Sequence, residues 1–416
     1  MRISVFTPIH KNEPERFQAL YDSLSNQTRQ PDEWVVLLNG AAQHIEFPFS
    51  APWVKIYRTN TTGNIGALKH ECCYLASGDV LVEVDYDDTL TGAAIEKIEK
   101  AFAQKPVHVV YSNCVEIDEN QESRTYSPIY GWKNRMHQIN GLDIIQMVAF
   151  PPQAQYLRRI EWAPNHVRAF WAGSYRHIGG YDKTIAVGDD HDLLCRFYKE
   201  YGEKGFHHID ECLYIYTVHH GNTCNGQNRN AEIQAQVDIN YIRHAEGMYL
   251  RWAMDNGLQC LDLGGRIGCP PGYQSVDLLD ADHYADLEQP WPFEDNSVGV
   301  LRAYHVLEHL HDTIHFFNEA YRVLAPGGFL LIEVPSTNGP GAWSDPTHVR
   351  YFNTLSFEYF TNRQYAQYIQ PQYTGRFQVA RLVEYWWDTP RIPVVSAQLI
   401  ALKGWYDERW CGERNI

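Results

Sequence analysis

The feature that most constrains the fold is an alternation of short apolar runs with amphipathic helical segments. ISVFTP (residues 3–8) and EWVVLLN (residues 33–39) have the composition of buried strands. Between them, the apolar side chains of residues 14–26 fall on one helical face. Strands that alternate with helices in this way favour an α/β fold, in which a mostly parallel sheet is covered by helices on both faces.

The alternation restarts in the second half of the chain. A polar stretch, residues 219–232, leads into a long helical segment, residues 231–256. After it, LQCLDLGG, YQSVDLL and SVGVLRAYHVLEHL predict three strands, residues 312–324 predict a helix, and FLLIEVPS predicts a fourth strand. Because 416 residues also favour two domains over one, we predict two α/β domains, 1–245 and 246–416.

Charge and composition argue against several classes of protein. A formal net charge of −16, a pI of about 5.6 and the lack of a basic cluster argue against a nucleic-acid binder. No apolar run approaches the roughly 20 residues that span a bilayer, and the apolar stretch at the N-terminus is too short for a signal peptide. The 9 cysteines include no CxxC pair, so they suggest neither a zinc site nor a disulfide framework. We therefore expect reduced thiols and a cytoplasmic location.

An acidic cluster follows one of the predicted strands, in VEVDYDDTL (residues 82–90). Asp85, Asp87 and Asp88 lie within four positions. Like charges held this close repel and resist ionisation, and a bound cation relieves that repulsion. Ligands of α/β sheets also bind beyond the carboxyl ends of the strands. The alternative is a solvated turn that caps a helix starting near Thr91, since Asp is a good N-cap.

Residues 1 to about 225 resemble the family 2 glycosyltransferases of the GT-A fold. The resemblance rests on segments that occur in the family's order: SVFTPIHKNE, LYDSLSNQTRQPDEWVVLLNG, NIGALKHECCYLASGDVLVEVDYDDTL, HIGGYDKTIAVGDDHDLLCRF and CLYIYTVHHGNTC. It implies an inverting transfer of a sugar from a nucleotide sugar, with a UDP-sugar as the first candidate. It also implies Mn²⁺ or Mg²⁺, held by carboxylates, to neutralise the diphosphate that leaves.

The same resemblance assigns roles to single residues. Asp85 and Asp87 would form the DxD motif that holds the metal at the nucleotide-sugar site. His219 would be a further metal ligand, although a structural histidine is an equal alternative at that position. Thr7 belongs to the segment that matches the nucleotide loop, and Asp88 would lie near the ribose or the acceptor.

The second strand departs from the family pattern, which often places an acidic pair before a glycine. Here Leu38 and Asn39 precede Gly40. An amide both donates and accepts hydrogen bonds, so Asn39 remains a candidate for recognising the nucleotide base. Which base it would recognise stays open.

A second acidic segment, GDDHDLL (residues 188–194), contains the candidates for the general base. The acceptor hydroxyl must lose its proton as it attacks, and a nearby carboxylate takes that proton. The family pattern implies Asp189 or Asp190 in this role, whereas Asp192 suits an N-terminal helix cap. Trp171, upstream, is a candidate for stacking on the acceptor sugar or, equally, for the core.

Residues 258 to 362 resemble class I S-adenosylmethionine-dependent methyltransferases, of the type often joined to sugar-modifying enzymes. The resemblance rests on LDLGGRIG, SVDLL, AYHVLEHL and, above all, EAYRVLAPGGFLLIEVPS. It implies that Gly264, Gly265 and Gly268 let the backbone approach S-adenosylmethionine. Asp277, at the end of the second strand, would bind the ribose hydroxyls.

Arg266 departs from the glycine motif, because it stands where a further glycine is usual. The spacing from Asp262 to Asp277 is also short and leaves little room for a helix between the two strands. Either the loop binds S-adenosylmethionine by a shortened path, or the domain is a Rossmann-like scaffold that has lost the cofactor.

The segment WSDPTHVRYFN (residues 343–353) resembles one that sugar-linked methyltransferases place over the active site. It contains Asp345 and His348, while His305, Glu308 and His309 lie at the end of the third strand. Histidine is the natural base for a hydroxyl near neutral pH. We therefore predict His348 as the base of methyl transfer, with Asp345 orienting its imidazole or the substrate.

Together these features predict a bifunctional enzyme that glycosylates and O-methylates a glycan or a small molecule. One alternative makes the second domain a docking module without a cofactor. Another makes the first domain a nucleotidyltransferase, which also uses paired Asp residues and a metal. Transfer to a nucleic-acid base is disfavoured by the negative charge of −16.

Overall fold

In a computed structural model of the protein, the chain divides into two units, Met1–Met248 and the residues from Tyr249 onwards. The structure describes residues 1–128, 132–139, 141–155, 157, 166–223, 229–387 and 392–404. Part of the predicted polar stretch, residues 224–228, therefore lies outside the described residues. In the ranges given, no helix combines the length and apolar character needed to cross a membrane.

The first unit is built on one mixed sheet. Its strands are β1 (Ile3–Ile9), β2 (Glu33–Leu38), β3 (Val54–Arg58), β4 (Val80–Glu83), β5 (Thr89–Leu90), β6 (Val109–Asp118), β7 (Ser123–Arg124), β8 (Lys133–Ile139), β9 (Leu142–Val148), β10 (Arg168–Trp171) and β11 (Phe206–Val218). They lie in the order β3-β2-β1-β4-β10-β6-β11-β5, and β7, β8 and β9 pair beside β6. The first four are mutually parallel, whereas β10 runs antiparallel to both of its neighbours.

The helices of this unit follow the predicted pattern. They are α1 (Pro14–Ser25), α2 (Ile65–Leu75), α3 (Ala94–Gln104), α4 (Ala172–His177), α5 (Asp189–Tyr201) and α6 (Asn230–Asp255), the last of which contains the division between the units. In α1 the apolar residues Phe17, Leu20 and Leu24 are buried, as the 3.6-residue periodicity requires. The helices predicted at residues 14–26 and 231–256 are thus confirmed to within a residue or so.

The acidic cluster follows β4 directly, as predicted, but it does not cap a helix. Helix α3 begins at Ala94, and its N-cap residue, Ala93, makes no side-chain capping hydrogen bond. The short strand β5 lies between the cluster and that helix. The alternative interpretation of the cluster as a helix-capping turn is therefore wrong.

Parallel pairing brings the candidate residues of the first unit to one edge of the sheet. Strand β1 pairs in parallel with β2 on one side and with β4 on the other, so the carboxyl ends of all three meet. Strand β10 continues the sheet beyond β4 and places Arg168 opposite Glu83. This edge is where an α/β sheet binds its ligands.

The second unit is a sheet of the doubly wound kind. Its strands are β12 (Gln259–Leu263), β13 (Gln274–Asp277), β14 (His283–Tyr284), β15 (Val298–Tyr304), β16 (Leu324–Pro335), β17 (Phe377–Trp386) and β18 (Pro393–Ala401). Their order is β14-β13-β12-β15-β16-β18-β17, in which β18 is antiparallel to β16 and β17, and the other pairs are parallel. The order reverses between β12 and β15, which marks a switch point where such sheets bind ligands.

The helices of the second unit include one that covers the sheet and three short ones. They are α7 (Thr313–Val323), α8 (Gly341–Ser344), α9 (Glu358–Thr361) and α10 (Arg363–Ala366), and Leu307–His309 forms a 3-10 turn. Helix α7 buries Phe316, Phe317 and Ala320 in the core of the unit. Residues 264–273, between β12 and β13, contain no helix, in agreement with the short spacing in the sequence.

Candidate active sites

The three aspartates of the acidic cluster have three different environments. Asp88 is 1% exposed, and both of its carboxylate oxygens accept hydrogen bonds of 2.8 Å, one from the Tyr214 hydroxyl and one from the backbone N–H of Thr217. Asp88 thus ties the turn after β4 to β11 and is not available to a ribose or an acceptor. The role expected for it from the family resemblance is corrected accordingly.

Asp87 faces the residue that follows β11. The Nε2 atom of His219 lies 2.8 Å from Oδ2 of Asp87. The backbone N–H of Gly221 donates to Nδ1 of His219 at 3.0 Å, so Nδ1 is the acceptor and Nε2 carries the proton that Asp87 accepts. The structure therefore brings two predicted metal residues together and gives His219 the geometry of a residue that orients Asp87.

Asp85 is half-buried at the end of β4. Burial, together with the nearby charges of Glu83 and Asp87, raises its pKa to about 7 despite the opposing effect of Lys69. A carboxylate whose charge is this unfavourable gains most from a cation. Within the described residues, Asp85, Asp87 and His219 do not bring their ligand atoms within 4.8 Å of one another.

A buried ion network supports this cluster. Glu83, on β4, is 1% exposed and accepts hydrogen bonds from Lys69 at 2.6 Å, from Tyr181 at 2.9 Å and from Arg168 at 3.0 and 3.1 Å. Burial by itself would raise the pKa of Glu83, but Arg168 and Lys69 hold it well below its ordinary value. The network fixes the strand that leads to Asp85.

The two candidate bases lie at the start of α5 and differ in access. Asp190 has a side chain that is 20% exposed and contacts Arg168 at 2.6 Å, whereas the Asp189 side chain is 4% exposed and lies 3.3 Å from Lys69. Burial would raise the pKa of Asp190, but Arg168 and Lys69 lower it. For Asp189 burial prevails and raises the pKa to about 6. Asp190 is the ionised, accessible member of the pair.

The remaining acidic residue of this segment is not a helix cap. The N-cap of α5 is Gly188, with no side-chain capping hydrogen bond. Asp192 instead accepts hydrogen bonds of 2.8 Å from Arg196, one turn along α5, and from His244 on α6. The capping role suggested for Asp192 is therefore wrong, and its function is to join the two helices.

The two residues expected near the nucleotide, Thr7 and Asn39, have buried side chains that form hydrogen bonds within the protein. Thr7 is fully buried. Its hydroxyl donates to the carbonyl of Val84 at 2.8 Å and accepts from Trp34 at 2.9 Å. Asn39 is 2% exposed and donates from Nδ2 to the Ile9 carbonyl at 2.9 Å. Both side chains hold strands together, whereas His10 and Asn12, in the loop after β1, are exposed.

The glycine loop of the second unit has the backbone that its motif predicts. Gly264 has φ of +73°, and a Cβ there would lie 2.6 Å from Val306. A Cβ on Gly265 would lie 2.5 Å from Oδ2 of Asp262, and Gly268 also has positive φ, +76°. The glycines thus allow a tight turn after β12 that other residues would strain. Arg266 is exposed.

Asp277 lies at the end of β13, beside this loop. Its Oδ1 accepts hydrogen bonds from the backbone N–H groups of Leu278 at 2.7 Å and Leu279 at 3.3 Å. Those bonds hold the carboxylate at the carboxyl edge of the sheet, on the side of β12 away from β15. This is the position expected for a residue that binds ribose hydroxyls.

Histidines and glutamates gather after β15, at the switch point. His305 lies 3.3 Å from Glu308 and 3.4 Å from Glu333; burial would lower its pKa, but these carboxylates raise it to about 9. His348 donates from Nδ1 to the carbonyl of Ala342 at 3.0 Å, and its Nε2 lies 3.9 Å from Asp345. That distance is too long for a hydrogen bond, so Asp345 does not orient the imidazole directly.

Family models match both units. The model "Glycosyl transferase family 2" matches residues 4–162, and the model "Methyltransferase domain" matches residues 273–332. The chain joins a family 2 glycosyltransferase domain to a methyltransferase domain. With the sheet topologies described above, the first domain has the GT-A fold and the second the Rossmann-like fold of class I methyltransferases, as the sequence predicted.

Single proteins are similar to parts of the chain. A protein of Mycolicibacterium smegmatis described as "Probable S-adenosylmethionine-dependent methyltransferase" is 41% identical over 66 residues, which are 15% of this chain and 26% of the relative. The match thus spans about a quarter of that relative's length. A crystal structure of S. aureus TarS 1-349 in complex with UDP-GlcNAc covers 62% of this chain and 72% of its own, at 12% identity and a TM-score of 0.44. A structure of S. aureus TarS covers 62% of this chain and 43% of its own, at 13% identity and a TM-score of 0.42.

Sequence analysis missed the ion network of the glycosyltransferase domain. Glu83 lies within the apolar run of β4, whereas Lys69 is followed by His70 and Glu71 in α2. Charged residues are seldom fully buried unless they are paired, so the position of Glu83 already indicated a buried ion pair. The partner Arg168, far along the chain, carried no such local signal.

Trp171, which was predicted either to stack on the acceptor sugar or to lie in the core, is partly exposed. Trp171 is 36% exposed, and its ring lies 6.1 Å from that of Phe102. In the methyltransferase domain, Trp343 and Tyr351 are more open, at 59% and 45% exposed, and their rings stack 4.4 Å apart. Tyr351 also donates to the backbone carbonyl of His348 at 3.4 Å. This exposed aromatic pair was not singled out from the sequence.

Proposed function

We propose that the protein is a bifunctional sugar-modifying enzyme with domains at 1–245 and 246–416. The first domain transfers a sugar from a nucleotide sugar, with a UDP-sugar as the first candidate, to a glycan or small-molecule acceptor. The second methylates a hydroxyl of such a molecule with S-adenosylmethionine. One observation above all supports the sugar transfer. Arg168 contacts both Glu83, beside the candidate DxD aspartates, and the candidate base Asp190.

The acidic residues after β4 fit a divalent metal ion. Asp85 and Asp87 would hold Mn²⁺ or Mg²⁺, and His219 would orient Asp87 or join the ligands. The raised pKa of Asp85, about 7, supports this assignment, since it reflects buried negative charge that a cation would offset. A cation bound there supplies neutralising charge for the diphosphate leaving group.

Asp190 is the residue we propose as general base. Its carboxylate is partly exposed, and Arg168 keeps it ionised and fixed in orientation. When the acceptor hydroxyl attacks the anomeric carbon, Asp190 takes the hydroxyl proton on a carboxylate oxygen. Asp189, buried against Lys69, serves to position the start of α5.

The glycine loop and Asp277 fit S-adenosylmethionine. Gly264 and Gly265 allow a tight turn in which a Cβ would collide with Val306 or Asp262, and Gly264 and Gly268 have a positive φ that other residues resist. Asp277 presents a carboxylate at the same edge of the sheet. The exposed side chain of Arg266 is compatible with this cradle. The bound cofactor would supply an electrophilic methyl group.

His348 is our candidate for the residue that acts on the acceptor hydroxyl. Its Nδ1 donates to a backbone carbonyl, so the lone pair is on Nε2 and the ring is held in one orientation. The exposed pair Trp343 and Tyr351 adjoins it, and aromatic faces suit the apolar faces of sugars. We therefore expect His348→Ala to retain S-adenosylmethionine binding and to lose methylation.

Two measurements test the proposal. Hydrolysis of a panel of sugar nucleotides in the presence of Mn²⁺ should reveal the donor, whereas diphosphate release from a nucleoside triphosphate would point to a nucleotidyltransferase. Calorimetric titration of the full chain with S-adenosylmethionine and its demethylated product should give heat of binding. No heat with either ligand would make the second domain a docking module.

A further inference from the structure

A cluster of metal-binding side chains lies at the switch point of the methyltransferase sheet. One ligand atom from each of Glu308, His309 and His348 lies within 4.8 Å of the other two. Among the described residues this is the one group of three or more histidine, cysteine or acidic side chains with that geometry. We propose that the cluster is a binding site for a divalent transition metal ion, with Zn²⁺ as the ion that it suits best.

Both imidazoles have the tautomer that a metal ligand needs. His348 donates from Nδ1 to the Ala342 carbonyl at 3.0 Å. His309 Nδ1 lies 3.0 Å from the hydroxyl oxygen of Thr347, and this hydroxyl donates its own proton to Asp345 at 2.6 Å. His309 must therefore donate from Nδ1, and both rings keep the lone pair on Nε2. Histidines that bind metals characteristically donate their other N–H to a carbonyl or a polar partner in this way.

Glu308, the third residue of the cluster, has a buried carboxylate that can still bind an ion. Glu308 is 2% exposed, and its Oε1 faces His305 at 3.3 Å. Its Oε2 is buried and accepts no hydrogen bond from the part of the chain that the structure describes. A buried carboxylate oxygen without a partner is costly, and a metal ion bound between Glu308 and the two imidazoles would remove that cost.

The backbone holds the three residues together. Glu308 and His309 lie on the 3-10 turn after β15, and His348 lies on the segment after α8. The backbone N–H groups of Val349 and Arg350 donate to the Glu308 carbonyl at 2.8 and 3.0 Å. The segment with His348 is thus attached directly to the turn with the other two ligands, so the site is built before any ion binds.

The donor set indicates the class of ion and the class of ligand. Two imidazoles and one carboxylate are typical of Zn²⁺ sites that keep a position open, whereas Mg²⁺ and Ca²⁺ prefer oxygen ligands. The open position would take an oxygen ligand, and the hydroxyl of the proposed sugar acceptor is the candidate for it. This use of the ion rests on the methyl transfer proposed above. The ion would occupy the Nε2 lone pair of His348, so the hydroxyl bound to it, made more acidic by the metal, would lose its proton to water and not to His348. The binding of the ion rests on geometry alone.

The test must separate this site from the acidic cluster of the glycosyltransferase domain. The full chain with Asp85→Asn and Asp87→Asn therefore serves as the parent, and Zn²⁺ binding is measured by calorimetry, with Co²⁺ as a probe whose visible absorption reports imidazole ligands. We expect about one high-affinity ion per chain, and His309→Ala should weaken it by a factor of about 100 or more, since even loss of an outer partner costs 10- to 100-fold. His309 is exposed, so its replacement should leave the fold intact.

The matched control is His311→Ala. His311 is a neighbouring histidine that is 78% exposed and also faces a glutamate, Glu288, at 3.3 Å. The substitution His311→Ala should leave the Zn²⁺ affinity unchanged. S-adenosylmethionine binding, measured on the same proteins, shows whether the cofactor site is intact. Loss of Zn²⁺ binding in His309→Ala with cofactor binding retained supports the metal site. Equal Zn²⁺ affinity in His309→Ala and the parent overturns it, whether or not the domain methylates.

Discussion

The Arg168 guanidinium donates a hydrogen bond from Nη1 to Oδ2 of Asp190 at 2.6 Å. The same guanidinium makes two hydrogen bonds to Glu83, which precedes Asp85, the first aspartate of the candidate DxD motif, by two residues. The candidate base and the candidate metal residues therefore share one rigid support. A charge-assisted, multidentate contact of this kind fixes orientation as well as charge.

The base assignment predicts a split between binding and turnover. Asp190→Asn keeps the shape of the side chain and removes its basicity, so donor affinity should persist while turnover falls by a factor of about 100 to 10,000. Steady-state kinetics and donor titration measure the two effects. If Asp189→Asn is the change that stops turnover, the base is Asp189, and if neither matters the segment is structural only.

The pH dependence of turnover distinguishes the same two residues. Arg168 and Lys69 outweigh burial and lower the pKa of Asp190 below its ordinary 3.8, whereas burial raises that of Asp189 to about 6. With Asp190 as base, turnover at saturating Mn²⁺ and substrates should stay level from pH 7 down to about 5, because a carboxylate with a lowered pKa remains ionised there. A fall centred near pH 6 would instead identify Asp189.

The metal assignment predicts that sugar transfer needs a divalent cation and Asp87. Excess EDTA should abolish transfer, and Mn²⁺ should restore it. Asp87→Ala should remove activity without unfolding, because the hydrogen bonds of Asp87 are to His219 and Asn222 and it makes none to Lys69 or Arg168 of the buried ion network. Asp238→Ala, at an exposed acidic position on α6, is the control and should remain active. Full activity in EDTA would refute the metal site.

The glycine loop predicts a specific loss of cofactor binding. Gly264→Ala adds a Cβ 2.6 Å from Val306 at a residue with φ of +73°, so the turn after β12 must shift and S-adenosylmethionine binding should weaken at least tenfold. Gly257→Ala is the matched control, since it has a similar φ, +66°, but open space around its Cβ. Calorimetry on both variants measures the difference. Equal losses in both would show that backbone strain, and not the loop, is responsible.

The buried network predicts a stability effect at Glu83. Glu83→Gln leaves Lys69 and Arg168 with less compensating charge in a buried site, which should cost about 3–5 kcal/mol. The measurement is the midpoint of the urea transition of the first unit. Glu211→Gln removes an exposed partner of Lys97 and should shift the midpoint little. A midpoint for Glu83→Gln as high as that of Glu211→Gln would contradict the role of the network.

Local sequence patterns were enough to locate the main helices and strands and the strand ends at which the candidate sites lie. Hydrophobic periodicity located α1 and α7, since the burial of one helical face depends only on residues close in the chain. It also placed Asp85 and Asp87 after a buried strand, and the glycines after β12. These features are local, so each is visible without knowledge of the rest of the molecule.

The partners of each candidate site residue depend on long-range packing. Asp87 and Asp88 are adjacent in the chain, yet Asp88 is engaged by Tyr214, 126 residues away, whereas Asp87 faces His219, 132 residues away. In the same way, Asp190 contacts Arg168 whereas the adjacent Asp189 contacts Lys69. The segment with His348 is joined to Glu308 by backbone hydrogen bonds. A carboxylate's pKa, exposure and partners depend on the side chains that the fold brings beside it. Those neighbours come from distant parts of the chain, so the local sequence does not specify them.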